Sequence, residues 1–322
     1  MGARGREHVL AATGGCEMSG GSGRRAGSST GISPLRPPPV RISAALGSYV
    51  ASLAGYDQPA RAEVHRGLPS TAVVVVLALE KPLEVDWWDA RGASSYFAVA
   101  SGLHTRPAAV GGSQPQRGMW LALTPAGSRA LLGVPAAALA DQILDLPAVA
   151  PHLRELPEQL AEARCWPDRL GLVERVLLAA LDRNLGGTVR REVTEAIPEL
   201  TGTATVEGVA NHVGWSRRHL STAFGTELGV TPKVYQRIAR FEASRRRLIT
   251  PTRQGLAAVA AASGYADQAH LTREWTTFAG CPPAAWLRAE QPRIAGHTDV
   301  LTDEACPNVQ ELPQDGRAQS CP

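Results

Sequence analysis

The chain is poor in cysteine, methionine and aromatic residues, and it has no long apolar run. Its five cysteines, Cys16, Cys165, Cys281, Cys306 and Cys321, stand singly with no C-x-x-C pair. Neither a disulfide framework nor a structural zinc site is therefore expected, and a reducing cytoplasm fits best. The longest strictly apolar stretch, Ala72 to Leu79, is far short of the ~18 residues that span a bilayer, which argues against a membrane-spanning helix. No apolar core follows the basic start, so no secretory signal is expected, and the glycine runs there spoil an amphipathic transit helix. G-x-S-x-G, P-loop, H-E-x-x-H and dinucleotide fingerprints are all missing. His65, His104 and His152 are too scattered for a cupin-type metal centre, so no metal and no cofactor are expected. Cys165, in Arg-Cys-Trp-Pro, is the lone nucleophile candidate and has no partner evident from sequence, so an enzyme is not expected.

What remains is a chain of 322 residues, 44% hydrophobic and 20% charged, enough for two domains. The net charge of +3 says little until it is divided along the chain. Arg183 to Arg293 carries 15 Lys and Arg against 9 Asp and Glu, whereas residues 37–182 carry 12 against 14 and residues 294–322 carry 1 against 5. Basic charge gathered in about a hundred residues beside a neutral partner is the footprint of a nucleic-acid-binding domain.

Within that basic segment a pattern occurs twice, at an offset of 50–51 residues. Val206 to Val213 has apolar residues at 206, 209, 210 and 213, the stripe of a short amphipathic helix. Gly214 ends it, Ser216 is placed to cap a second helix, and Leu220 and Phe224 give that helix its buried side. This predicts a helix-turn-helix with Arg217, Arg218, Ser221 and Thr222 facing outward. The second copy has Leu256 to Ser263, Gly264, the capping Asp267 and the buried pair Leu271 and Trp275, with Gln268, Ala269, Thr272 and Arg273 outward. The forks of Gln and Arg match adenine and guanine edges in the major groove. His219 and His270 precede a buried leucine and are expected to pack or touch phosphate, and Trp215, Phe224, Tyr265 and Trp275 to anchor the core. Between the copies, Pro232 to Ile249 reads as one continuous helix striped by Val234, Ile238, Phe241 and Leu248. It would be roughly 27 Å long, a stiff spacer suited to setting two recognition helices about one DNA turn (~34 Å) apart.

Ala210 to Gly214, Ser216-Arg-Arg-His-Leu-Ser, Gly229-Val-Thr-Pro232, Arg240 to Leu248 and Gly264-Tyr-Ala-Asp-Gln-Ala-His-Leu-Thr-Arg273 resemble the double helix-turn-helix DNA-binding domain of AraC/XylS-type transcription regulators. The resemblance covers about residues 184–290. It implies base readout by Arg218, Ser221 and Thr222 in the first copy and by Gln268, Ala269, Thr272 and Arg273 in the second. Arg217, Ser216, Asp267 and His270 are then the residues that hold phosphates or cap the recognition helices. Three positions depart from the family pattern: Thr222 stands where an arginine is usual, Ala269 where serine is common, and Trp286 is followed by Leu287 in place of the usual arginine.

From about Val40 to Leu181 the pattern changes to β-branched and alternating runs: Thr71–Leu79, Leu83–Trp88, Ser95–Ala100 and Arg117–Leu123. After Pro125 it turns helical, with Ser128–Leu132, Ala136–Leu144, Leu153–Ala163 and Arg169–Leu181 as expected helices. A small β-barrel or sandwich with a helical subdomain follows, which gives an α+β chain ending in an all-α, homeodomain-like double helix-turn-helix. The layout resembles the sensor half of the same family, where a β-rich pocket binds a small molecule and a helical part dimerises. His104 and Arg106 in a loop, with Trp87, Trp88 and Tyr96, are pocket candidates, although core packing is the expected role of each aromatic. The expected division is a disordered leader at 1–36, an effector-sensing and dimerisation domain at 37–182, a DNA-binding domain at 183–293 and a disordered acidic tail at 294–322. The resemblance implies double-stranded DNA, an unidentified small-molecule effector, RNA polymerase and a second copy of the chain as partners, with no membrane. Two other readings stay open: an enzymatic N-terminal domain carried to DNA by the basic domain, and a helical adaptor that never touches DNA.

Overall fold

The computed structural model describes residues 42–295 apart from 61–63, 91, 93, 184–185 and 251–253, with 291–295 described in backbone only. The expected leader, the expected acidic tail beyond Ala295, and Cys16, Cys306 and Cys321 lie outside the described residues.

Among the described residues, nine strands form two antiparallel sheets. They are β1 (Val50–Gln58), β2 (His65–Gly67), β3 (Val73–Ala78), β4 (Leu83–Trp87), β5 (Ser94–Tyr96), β6 (Ala98–Ser101), β7 (Ala108–Val110), β8 (Gln116–Leu123) and β9 (Ile143–Asp145). The larger sheet has the order β1-β8-β3-β6-β9 and the smaller β2-β7-β4-β5. Side chains alternate across a strand, so β3 and β6 each serve two cores. Val73, Val75, Leu77, Ala98 and Ala100 face the main cluster, while Val76 and Val99 join Leu83, Val85 and Ala108 of the smaller sheet. The larger sheet is thus covered on one face by its partner sheet and on the other by helices.

Two expectations fail here for physical reasons. Ser95 to Ala100 is not one strand, because the chain changes sheets at Phe97: β5 pairs with β4 and β6 with β3. Phe97 sits 51% exposed at that corner. Ala136 to Leu144 is not a helix either. A 3-10 turn at Ala136–Leu139 is followed by Asp141 in the left-handed region (φ 53), and Ile143 to Asp145 pair with Val99 to Ser101. Edge pairing to β6 overrides the helical preference of the alanines.

The helical layer comprises the short α1 (Pro125–Gly127) and α2 (Leu146–Val149), a five-residue π-type turn at Ser128–Leu132, a 3-10 turn at Pro151–Leu153, α3 (Leu156–Glu162) and α4 (Trp166–Asp182). The expected helix from Leu153 to Ala163 is therefore divided. Trp166 is fully buried at the start of α4, and its ring lies against Gly55 of β1, where a Cβ would fall 2.6 Å from it. Cys165 is disulfide-bonded, against the expectation of no disulfide framework, while Cys281 is free. Spacing along a chain does not reveal pairing between distant cysteines.

The remainder is helical: α5 (Arg191–Thr201), α6 (Val206–His212), α7 (Arg217–Leu228), α8 (Pro232–Ile249), α9 (Leu256–Ala262), α10 (Gln268–Ala279) and α11 (Pro283–Ala295). Among the described residues no helix is long and apolar enough to cross a membrane.

Candidate nucleic-acid interface

The two units of the repeat fold alike because the same local devices recur. In the first, Thr205 caps α6 by accepting from the N–H of Gly208 at 3.0 Å, and Gly214 turns the chain with φ +73, a conformation that favours glycine. Ser216 then accepts from the N–H of His219 at 3.2 Å and starts α7. In the second, Gly264 turns at φ +77 and Asp267 caps α10, accepting from the N–H of His270 at 2.6 Å. Gly255 precedes α9 without a side-chain cap.

The buried faces are the expected ones. Leu220 and Phe224 in α7, and Leu271 and Trp275 in α10, are each fully buried. The Trp275 indole N–H donates to Ser244 Oγ at 2.8 Å, and that hydroxyl donates to the carbonyl of Phe241 at 2.7 Å, so the anchor's one polar atom is satisfied inside the core. On the same face Glu274 accepts from Arg237 Nε at 2.7 Å, tying α10 to α8. Burial and this carboxylate push the Tyr265 hydroxyl well above the ordinary phenol range. Trp215 departs from expectation: it is half-buried, its ring tilted against His219 with centroids 4.4 Å apart. Tyr265 and His270 repeat that contact in the second unit at 5.3 Å, with Tyr265 buried.

The outward faces carry the residues picked from sequence. Arg217, Arg218 and Thr222 are exposed and Ser221 is half-buried on α7; Gln268, Ala269 and Arg273 are exposed and Thr272 half-buried on α10. The hydroxyls of Thr222 and Thr272 are turned back onto the carbonyls of Arg218 (3.1 Å) and Gln268 (2.9 Å). Arg217, Arg218 and Arg273 pair with no carboxylate among the described residues. Each recognition helix therefore presents an exposed first turn and an unneutralised guanidinium on one surface, an arrangement suited to phosphate and to guanine edges. In α8, which begins at Pro232 under the Thr231 cap, Arg246 is exposed while Arg245 and Arg247 are half-buried.

The pocket candidates take other roles. His104 is buried; its Nδ1 bonds the carbonyl of Arg106 at 2.7 Å, and its ring packs edge-on against Trp87. Burial holds its imidazole below the ordinary histidine range, the neighbouring carbonyl opposing that shift. Arg106 lies over Trp87 at 4.2 Å and Arg66 over Trp88 at 3.9 Å. His152 Nε2 bonds the carbonyl of Leu131 at 2.9 Å. Two open surface hollows are lined by residues of α3 and α4 such as Leu156, Gln159, Leu172 and Val176.

Sequence reasoning missed three glutamates of the helical region that bond to the N-terminal one: Glu227 with Arg129, Glu242 with Thr71, and Glu290 with His65. A signal for the first was present. Glu227 extends the Leu220 and Phe224 stripe, and a carboxylate on a buried stripe needs a cation or donor brought from elsewhere.

Residues 209–289 match a protein family described as a helix-turn-helix domain. The matched region is an AraC-type helix-turn-helix domain. Among solved structures, ToxT from Vibrio cholerae O395 is similar with a TM-score of 0.45 and 11% identity, over 76% of this chain and 98% of that one. Wild-type ToxT from Vibrio cholerae strain SCE256 with bound unsaturated fatty acid gives 0.44 and 7%, over 74% and 95%. The DNA-binding domain of the transcriptional factor AdpA, in complex with target DNA, gives 0.28 and 24%, over 32% and 91%. No curated protein sequence matches the chain.

Proposed function

We propose that the chain regulates transcription in the cytoplasm by binding rather than by catalysis, reading double-stranded DNA with two recognition helices at once. In this reading Arg218, Ser221 and Thr222 meet base edges in one major-groove segment, and Gln268, Ala269, Thr272 and Arg273 in the next. Arg217 and His270 position the phosphates, while Ser216 and Asp267 cap the recognition helices. The observation that carries it is the repeated outward face: two capped helices, each with its first turn exposed and an arginine without a carboxylate. The segments 37–182 and 183–293 are the working halves, the first sensing a small molecule and contributing to a homodimer, with RNA polymerase as the downstream partner.

The test is selection of bound duplexes from a random pool by the full chain at ~150 mM salt, where non-specific phosphate contacts are partly screened. The expected result is a two-block motif with its blocks about one helical turn apart. Binding without sequence preference would overturn it.

A further inference from the structure

The base-reading proposal leaves open what holds the two recognition helices at one separation. The stiff α8 joins them, but it is not their sole connection. Gly229 and Gly280 are the same position of the repeat, each the left-handed C-cap of its recognition helix (φ +75 and +68). Both lie against the N-terminal domain. A side chain at Gly229 would collide with Ala140, beside the Ala136–Leu139 turn, and one at Gly280 would fall 3.5 Å from Pro107 and 3.8 Å from the Trp88 indole.

A buried carboxylate also reaches across from each unit, Glu227 beside Gly229 and Glu290 ten residues beyond Gly280, on α11. Before Gly229, Glu227 (5% exposed) accepts from Arg129 Nε at 2.8 Å, and Arg129 also donates to the carbonyl of Gly186 at 3.2 Å. Beyond Gly280, Glu290 (5% exposed) accepts from His65 Nδ1 at 2.9 Å, next to the Arg66 guanidinium that covers Trp88. Midway, Glu242 of α8 accepts from Thr71 Oγ1 at 2.8 Å. The N-terminal domain thus grips the C-terminal end of both recognition helices and the spacer between them, while leaving the base-facing first turns uncovered.

We propose that the N-terminal domain is a spacing gauge for the operator. By holding both C-caps it fixes the separation and rotation of the two reading turns, so that His65, Trp88, Pro107, Thr71 and Arg129 determine which half-site spacing is bound without touching DNA. They are positioning residues, and the proposal rests on the reading of α7 and α10 as base readers. One inserted base pair moves a half-site by ~3.4 Å and roughly a tenth of a turn, which a gripped pair of helices does not follow.

The experiment takes the selected two-block duplex and measures affinity of the full chain at the selected spacing and with one base pair added or removed. The wild type should prefer the selected spacing by about tenfold, the loss of one block from simultaneous engagement. Trp88→Ala and Glu290→Gln should each cut that preference to about two- to threefold, with affinity for the second block alone unchanged, a readout that damage to α10 itself would move. His65→Asn, a change on the N-terminal side of the same contact, should do the same. Full spacing preference in all three variants would mean that α8 alone sets the distance and would overturn the gauge. A wild type without sequence preference would overturn the base-reading proposal and the gauge together.

Discussion

The two helix-turn-helix units are built from one repeated pattern, yet they are anchored differently. The core of the first, with Leu220, Phe224, Leu228 and Tyr235, runs without a break into the cluster beneath the larger sheet. The core of the second, with Phe241, Leu271, Trp275, Phe278 and Trp286, is its own cluster, and Leu68 is the N-terminal residue packed against it. Similar sequence therefore gives similar local geometry but unequal independence. The first unit shares its apolar core with the sandwich, and the second has a core of its own, tied to the rest by α8 and by the contacts of Gly280 and Glu290.

The strongest challenge to that contrast is a pair of core truncations, Trp275→Ala and Phe224→Ala, each expected to cost about 3–5 kcal/mol. In chemical denaturation Trp275→Ala should bring forward a transition confined to the second unit, whereas Phe224→Ala should weaken the sandwich as well. A shared shift of one transition in both variants would erase the distinction. Arg129→Ala leaves Glu227 as a buried carboxylate without its cation and should cost the first body about 2–3 kcal/mol, with the second unit unaffected.

The units should also differ in what they read. Arg273→Ala is expected to lose about 1–3 kcal/mol and to relax preference at one base pair, the worth of one bidentate contact. Equal loss on every duplex would place Arg273 on phosphate instead, and an unchanged salt slope for Arg246→Ala would remove that arginine from the phosphate contacts. At the caps, Asp267→Ala should cost ~1 kcal/mol of helix stability and exceed Ser216→Ala, because a carboxylate at 2.6 Å also meets the positive helix end.

The mildest expected effect concerns pH, in the loop beside the second unit's grip. The buried imidazole of His104 is held below its unfolded value of about 6.5. The folded state thus binds this proton less readily than the unfolded chain does. Stability is complete above pH 6.5 and declines as pH falls below it. His104→Gln should flatten that acid-side slope in thermal unfolding, and an unchanged slope would assign it to other groups.

Much of the helical region was legible because its signals are local. Caps, left-handed glycines and i, i+4 apolar pairs act within one or two turns, so Ser216, Gly264, Asp267 and the Leu271 and Trp275 pair could be read directly from spacing. The sandwich was legible only as a class. Its strand at Ile143–Asp145 exists because Val99 to Ser101 offer an edge, and the change of sheet at Phe97 depends on partners far along the chain. The outward residues at the candidate interface were legible as a helix face, while the contacts behind them were not. His65 meets Glu290 across 225 residues, and no periodicity encodes such a pair.

The continuity of the first unit's core with the sandwich bears on how such a chain can be cut and recombined. A graft that exchanges the whole basic half would slice through shared apolar packing around Leu220 and Phe224 and leave both pieces with raw hydrophobic surface. The apolar packing divides inside α8, between Tyr235 and Ile238, so the natural seam for a chimaera lies there and the graft carries the C-terminal part of α8 with it. There a foreign second reader could be spliced in, and one half of the operator rewritten while the other stays as it is.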